Sequence, residues 1–130
     1  MKPIKKSLLM VLAVTCASNL HANEGRVIPA QFHGTWTWNK NGVHPQEGEQ
    51  PLRISSSEIA AHETSGQVMR VAQSGADSKA CVVNVNASCE GMEGREQLTL
   101  ILSPDGQRLT LQQKTANTCA FGAGDYYRVR

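Results

Sequence analysis

One alternating run sets the architecture of this chain: Cys81-Val82-Val83-Asn84-Val85-Asn86-Ala87-Ser88-Cys89. Successive side chains of a β-strand point to opposite faces of the sheet, so a strand with one buried face alternates with a period of two. The run therefore predicts a continuous, half-buried strand. The positions expected to face the core are the small or apolar ones, Cys81, Val83, Val85, Ala87 and Cys89.

The residues that follow this run predict a hairpin. Between two leucine-rich segments lies Ser103-Pro104-Asp105-Gly106, whose residue types favour a tight turn. The leucines on either side alternate and are expected to face the same core: Leu98, Leu100 and Leu102 before the turn, and Leu109 and Leu111 after it.

Shorter alternating patterns upstream predict four more strands. The first of them places its apolar residues on one face, namely Phe32, Gly34, Trp36 and Trp38. Two others pair Leu52 with Ile54 and Met69 with Val71. Residues 58–64 are expected to form a strand too, although Ser55-Ser56-Ser57-Glu58 also resembles the capping box that begins a helix.

A last strand over residues 125–130 is expected to place Tyr127 and Val129 on the face opposite Tyr126, Arg128 and Arg130. Eight predicted strands with mostly short connections indicate an all-β fold. Closure removes the exposed edges of a sheet, so the pattern favours a small eight-stranded antiparallel up-and-down barrel.

Gly34-Thr35-Trp36 on the first strand, together with an arginine on the last, resembles the signature of the calycins, the group of lipocalin-like and avidin-like barrels. The resemblance implies that Trp36 plugs the closed end of the barrel and that Arg128 or Arg130 packs over it. It also implies that the long connection over residues 39–49 flanks the open mouth.

The first 22 residues predict an export signal, with Lys2, Lys5 and Lys6 before an apolar run and a small residue, Ala22, at the exit. Its removal leaves a single barrel domain over residues 23–130 and a periplasmic or secreted protein. Lipid anchoring at Cys16 is the alternative route of processing. The apolar run is shorter than the roughly 20 residues of a transmembrane helix, so no membrane span is expected.

Charge argues against nucleic-acid partners. Of the 13 Lys and Arg residues three belong to the leader, which leaves ten against 11 Asp and Glu, a net charge of −1. The remaining cations are scattered singly along the chain and form no basic stripe of the kind that tracks a phosphate backbone.

Three cysteines follow the leader, in a compartment that permits disulfides. A continuous strand would hold Cys81 and Cys89 roughly 26 Å apart, far beyond the reach of a disulfide. Cys119 must therefore pair with one of them, and Cys89 is the expected partner because both lie near strand ends. Pairing with Cys81 is the open alternative; otherwise Cys81 is expected to be a buried core thiol.

Chemical motifs are absent from the sequence. His33, His44 and His62 lack the spacing of zinc ligands, and no nucleophile or nucleotide-binding signature occurs. Glu90, Glu93 and Glu96 lie near a predicted turn and indicate a solvated face. A non-enzymatic protein without metal or cofactor is expected.

Two functions fit this pattern. The first is binding of a small hydrophobic or amphipathic ligand inside the barrel, with candidate ligand-binding residues Trp36, Trp38, Tyr127 and His44. The second is a protein-binding module, such as an inhibitor or immunity-type partner of an extracytoplasmic enzyme. A barrel filled by its own side chains would favour the second, and an apolar cavity under the long connection would favour the first.

Overall fold

A computed structural model describes residues 23–42, 50–73 and 78–130. The expected export signal over residues 1–22, with Cys16, lies outside the described residues. So do His44 and most of the long connection over residues 39–49.

The described residues form nine strands and one short 3-10 helix, which precedes β2 and spans Ala30–Phe32. The strands are β1 (Asn23–Gly25), β2 (Gly34–Thr37), β3 (Leu52–Ile54), β4 (Glu58–Ala61), β5 (Thr64–Gln73), β6 (Ala80–Cys89), β7 (Met92–Leu102), β8 (Arg108–Gln112) and β9 (Gly124–Arg128).

Strands β2 to β9 form a closed, eight-stranded, antiparallel up-and-down barrel, which confirms the predicted fold class. Each strand pairs with the next one in sequence, and β9 closes the barrel by pairing with β2. β1 is not one of the eight barrel strands. It pairs with the end of β5, from Gly25 opposite Val71 to Asn23 opposite Gln73, beyond the part of β5 that β4 covers.

The central run folds as predicted, because β6 is continuous from Ala80 to Cys89. Cys81, Val83, Val85 and Ala87 are buried, and the leucines predicted to face the core on β7 and β8 are buried beside them. The predicted turn also forms, with the Gly106 N–H donating to the carbonyl oxygen of Ser103 at 2.9 Å.

The prediction of one strand over residues 58–64 is wrong in its bounds. β4 ends at Ala61, His62 and Glu63 form a tight turn, and Thr64 already begins β5. The helix alternative is also excluded. Ser55 Oγ accepts a hydrogen bond from the Glu58 N–H, as in a capping box, but Glu58 begins a strand and not a helix. Local capping chemistry is therefore present here without the helix.

Met69 was predicted to face the core with Val71, and this is wrong. A β-bulge between Val68 and Arg70 inserts one extra residue into β5 opposite β6. The bulge breaks the period of two, so Val68 and Val71 both pack inward while Met69 is exposed.

The closed end of the barrel is built around Trp36, which is fully buried. The guanidinium carbon of Arg128 lies 4.3 Å from the centre of the indole ring. The same guanidinium donates to the carbonyl oxygens of His33 at 2.7 Å, Gln31 at 3.0 Å and Gly106 at 3.2 Å. Arg128 therefore joins the 3-10 helix, the β7–β8 turn, β2 and β9, an arrangement consistent with a calycin-like fold.

We expect Arg128→Lys to lower the free energy of unfolding by about 2 to 3 kcal/mol, because an ammonium cannot reach three separate carbonyls or stack on the indole. Arg108→Lys, on the exposed face of the neighbouring strand, should change it by less than about 0.5 kcal/mol. Guanidinium unfolding followed by tryptophan fluorescence measures both. Equal losses in the two variants would contradict a special role for Arg128.

A disulfide joins Cys89 at the end of β6 to Cys119, with the two Cα atoms 5.9 Å apart, as predicted. Cys81 is the free cysteine among the described residues and is buried. Burial raises the pKa of its thiol to about 12. The disulfide indicates an oxidising, extracytoplasmic environment.

Replacing both cysteines in Cys89→Ser/Cys119→Ser should lower the free energy of unfolding by roughly 3 to 4 kcal/mol, since the bridge spans 30 residues and restricts the unfolded chain. Cys81→Ala, which keeps the bridge, should cost only about 1 kcal/mol. Chemical denaturation compares the two. A thiol titration showing three reactive cysteines in the denatured, unreduced chain after the leader would show that the bridge is not formed.

Candidate functional site

The open end of the barrel, opposite Arg128, is covered by the connection between β8 and β9. We call this connection, residues 113–123, the capping loop. It is tied to the barrel through the Cys89–Cys119 disulfide and through Glu96 on β7. Phe121 of this loop is fully buried and reaches into the barrel.

Glu96 is the side chain that holds the capping loop in place. One carboxylate oxygen, Oε2, accepts hydrogen bonds from the backbone N–H groups of Thr118 at 2.6 Å and Cys119 at 2.8 Å. The other, Oε1, accepts from the Asn117 N–H at 2.9 Å and from the Gln113 side-chain amide at 3.2 Å. The expectation of a solvated face at Glu96 is therefore wrong: the residue is 2% exposed and lies on the inner face of β7.

Two opposing influences act on the Glu96 carboxyl. Burial acts to raise its pKa, whereas the N–H groups of Cys119, Asn117 and Thr118 and the amide of Gln113 act to lower it. The net result is a pKa below the ordinary value of 4.5. The ionised carboxylate therefore stabilises the capping loop at neutral pH.

At neutral pH, Glu96→Gln should lower the free energy of unfolding by about 2 kcal/mol, because a neutral amide accepts fewer and weaker hydrogen bonds. Because the pKa is lowered in the folded state, this contribution is fully present above the unfolded-state pKa. It is lost as the pH falls from about 4.5 through the folded-state pKa, so the two proteins should converge in acid. Denaturation series between neutral and acidic pH measure this difference.

The matched control for this series is Glu93→Gln, an exposed carboxylate on the same strand. The free energy of unfolding of Glu93→Gln should stay close to that of the wild type at every pH of the series. A gap between wild type and Glu96→Gln that does not narrow in acid would contradict the ionised state of Glu96.

The barrel interior is filled by its own side chains. Phe32 and Trp36 occupy the closed end, and Phe121 descends from the capping loop. A Cβ built on Gly66 would lie 3.0 Å from the Phe121 ring and 2.9 Å from Val85, so this ring packs directly on the β5 backbone. Among the described residues, the core side chains, with Phe121 included, therefore pack together inside the barrel.

A small pocket of about 220 Å³ remains at the rim of the open end. We call it the mouth pocket; its wall includes Trp38, Leu52, Ala61, His62, Phe121 and Tyr126. Most of these side chains are apolar. The pocket opens to the outside beside Trp38, which is 53% exposed.

Trp38 is held in place by contacts on the rim. Its ring centre lies 4.3 Å from that of Tyr126, with the planes inclined by 35°. Gly122 and Gly124 have positive φ angles of 80° and 148°, and a Cβ built on Gly124 would lie 3.1 Å from the indole. Glycine at these two positions lets the backbone turn and lets the indole pack directly against it.

Tyr126 supports the same rim from below. Its hydroxyl donates a hydrogen bond of 2.5 Å to the carbonyl oxygen of Gly122, which fixes the end of the capping loop. Burial raises the pKa of this hydroxyl to about 12, so it stays protonated at neutral pH.

Of the four residues expected to bind a ligand, the structure describes Trp36, Trp38 and Tyr127. Trp36 lies under Arg128 at the closed end, and His44 lies outside the described residues. The prediction that Trp38 faces the barrel interior is wrong, because β2 ends at Thr37 and the indole lies across the rim. The prediction that Tyr127 faces inward is also wrong, because Arg128 must point inward to reach Trp36 and strand alternation then places Tyr126 inside.

The sequence-based reasoning missed Phe121, Tyr126 and Glu96. Tyr126 could have been found by requiring that the arginine covering Trp36 point inward. Phe121 lies in a segment without alternation, and Glu96 is a carboxylate at an apolar register position, so periodicity alone carries no signal for either.

Metal-binding geometry is not found in the described part of the chain. No three His, Cys, Asp or Glu side chains there are grouped closely enough to hold a metal ion. His33 Nε2 hydrogen bonds to the Ile28 carbonyl at 2.6 Å, and His62 Nε2 lies 3.7 Å from Glu63. Over the described ranges, no helix combines the length and apolar character needed to span a membrane.

Compared with protein-family models, curated proteins and solved structures, the chain matches none of them. The likeness to calycins therefore rests on the barrel topology and on the contact between Arg128 and Trp36.

Proposed function

We propose that this protein is a non-catalytic, protein-binding module of the calycin type, which engages its partner through the rim around Trp38. The observation that carries the proposal is the filled barrel, with Phe121 occupying the space that a ligand would need. A mouth pocket of about 220 Å³ is smaller than the roughly 300 to 1,000 Å³ typical of small-molecule sites. It suits one apolar side chain of a partner.

Trp38 has the properties of an interface anchor. An exposed tryptophan offers a large contact area, and tryptophan and tyrosine are enriched among residues that dominate binding energy. The packing of the indole on Tyr126 and on the Gly122 to Gly124 backbone reduces the side-chain entropy lost on association. A rigid anchor beside a small apolar pocket supports recognition by insertion of a complementary side chain.

The alternative of a small hydrophobic ligand inside the barrel is less well supported. Such a ligand would need Phe121 to leave the core. The Glu96 hydrogen bonds and the Cys89–Cys119 disulfide both hold the capping loop that carries Phe121. An inhibitor or immunity-type partner of an extracytoplasmic enzyme needs no such opening, because it binds through its surface.

The proposed place of action is the periplasm or the exterior of the cell, with the leader over residues 1–22 removed and residues 23–130 acting as one domain. The disulfide between Cys89 and Cys119 supports an oxidising compartment.

The test is site-specific photo-cross-linking in the source organism. With a photo-reactive residue at Trp38 we expect one protein adduct, and with the same residue at Val27 we expect none. Val27 is a matched control, since it is apolar, 59% exposed and lies between β1 and the 3-10 helix. The adduct is then identified and its affinity measured with purified proteins.

For the purified pair, Trp38→Ala should weaken binding by about 30-fold, equivalent to about 2 kcal/mol. The loss of the ring contact with Tyr126 should lower the free energy of unfolding by only about 1 kcal/mol. Ala120 also lines the mouth pocket and is exposed, so Ala120→Leu should narrow the pocket and weaken binding as well. A saturable change in tryptophan fluorescence with a lipophilic compound, abolished by Ala120→Leu, would instead support the small-ligand function.

A further inference from the structure

A second concave surface lies on the outer wall of the barrel, away from the mouth pocket. We call it the basic groove. It is formed by the start of the β2–β3 connection, the β7–β8 turn, and the adjacent parts of β8 and β9, and its volume is about 520 Å³. The side chains that matter for its chemistry are Lys40, Asp105, Arg108, Tyr127 and Arg130.

The groove brings together cations that are far apart in sequence. Lys40 follows β2, Arg108 begins β8, and Arg130 follows β9, so only the closure of the barrel makes them neighbours. The expectation that the basic residues are scattered singly is true of the sequence and wrong for this wall. A single groove of this size is still not the extended stripe that tracks a nucleic acid.

The positive charge of the groove is largely uncompensated within the described ranges. Three cationic residues, Lys40, Arg108 and Arg130, line the groove together with one described carboxylate, that of Asp105, and the charge of Arg108 acts on this carboxylate. Asp105 Oδ1 already accepts hydrogen bonds from Ser103 Oγ at 2.6 Å and from the Gln107 N–H at 3.1 Å. No salt bridge joins Lys40, Arg108 or Arg130 to a carboxylate of the described residues.

Arg128 also borders the groove, but its guanidinium points into the barrel and stacks on Trp36. Its three hydrogen bonds all go to backbone carbonyls at the closed end. Arg108 and Arg130 can supply planar donor pairs that match the oxygens of an anion. The Tyr127 ring adds a half-buried apolar wall between strands.

We propose that the basic groove binds the phosphate group of a small phosphorylated ligand. A phosphate ester offers more acceptor oxygens, and in its monoester form more charge, about −1.5 to −2, than a carboxylate, and so matches a groove with several cationic donors. The volume of about 520 Å³ lies in the range of small-molecule sites, which the mouth pocket does not reach. This inference is independent of the protein partner proposed for the rim.

The experiment is a titration of the isotopically labelled mature protein with glycerol 3-phosphate at about 0.15 M salt, where distant surface charges are screened. We expect saturable amide shifts at Gln107, Arg108 and Tyr127. Arg108→Gln/Arg130→Gln should weaken binding by about tenfold, since each arginine donates charged hydrogen bonds. The charge-matched control Arg53→Gln/Arg95→Gln, at exposed positions outside the groove, should bind as the wild type does.

A second arm separates the two sources of a phosphate group. Sedimentation with phosphatidylglycerol vesicles, against phosphatidylcholine vesicles, tests a lipid headgroup, and the soluble ester tests a free metabolite. Binding in either arm that is lost in Arg108→Gln/Arg130→Gln and kept in the control supports the proposal. Linear shifts without saturation together with no vesicle binding, equal loss in both double variants, or tighter binding of a polyglutamate peptide than of the ester would overturn it.

Discussion

The contact between Arg128 and Trp36 is the interaction on which the rest of this structure depends. It places a charge from β9 over a ring from β2, and the same guanidinium donates hydrogen bonds to carbonyls of the 3-10 helix and of the β7–β8 turn. An arginine inside the barrel is tolerable because each of these bonds replaces a bond to water. One side chain, that of Arg128, therefore stabilises both the pairing that closes the barrel and the closed end.

The open end of the barrel is likewise held by one buried charged side chain, here an anionic one. Glu96 occupies a core position on β7, and its carboxylate is satisfied by backbone N–H groups of the capping loop. The disulfide at Cys119 lies in the same segment, so the hydrogen bonds of the Glu96 carboxylate and a covalent bond hold neighbouring residues of the capping loop. Together they keep Phe121 inside the barrel, and this is why recognition is expected on the outer surface.

The strand pattern was largely predictable because alternation is a local property. The β6 run and the turn at residues 103–106 formed as expected, and the geometry of a continuous strand excluded a Cys81–Cys89 bridge. Prediction failed where a single event shifted the parity of a strand. The bulge at Met69 turned this side chain outward instead of toward the core. Because Arg128 points inward, Tyr126 faces the core and Tyr127 does not, which is the reverse of the prediction.

The sequence by itself determined the all-β class, the number of staves in the barrel and the preferred disulfide, because hydrophobic period and strand length are written in neighbouring residues. Only the tertiary structure decided that the barrel is filled, that Glu96 is buried, and that Trp38 lies on the rim. It alone also gathered Lys40, Arg108 and Arg130 into one groove. These features depend on contacts between residues far apart in sequence, which no local pattern encodes.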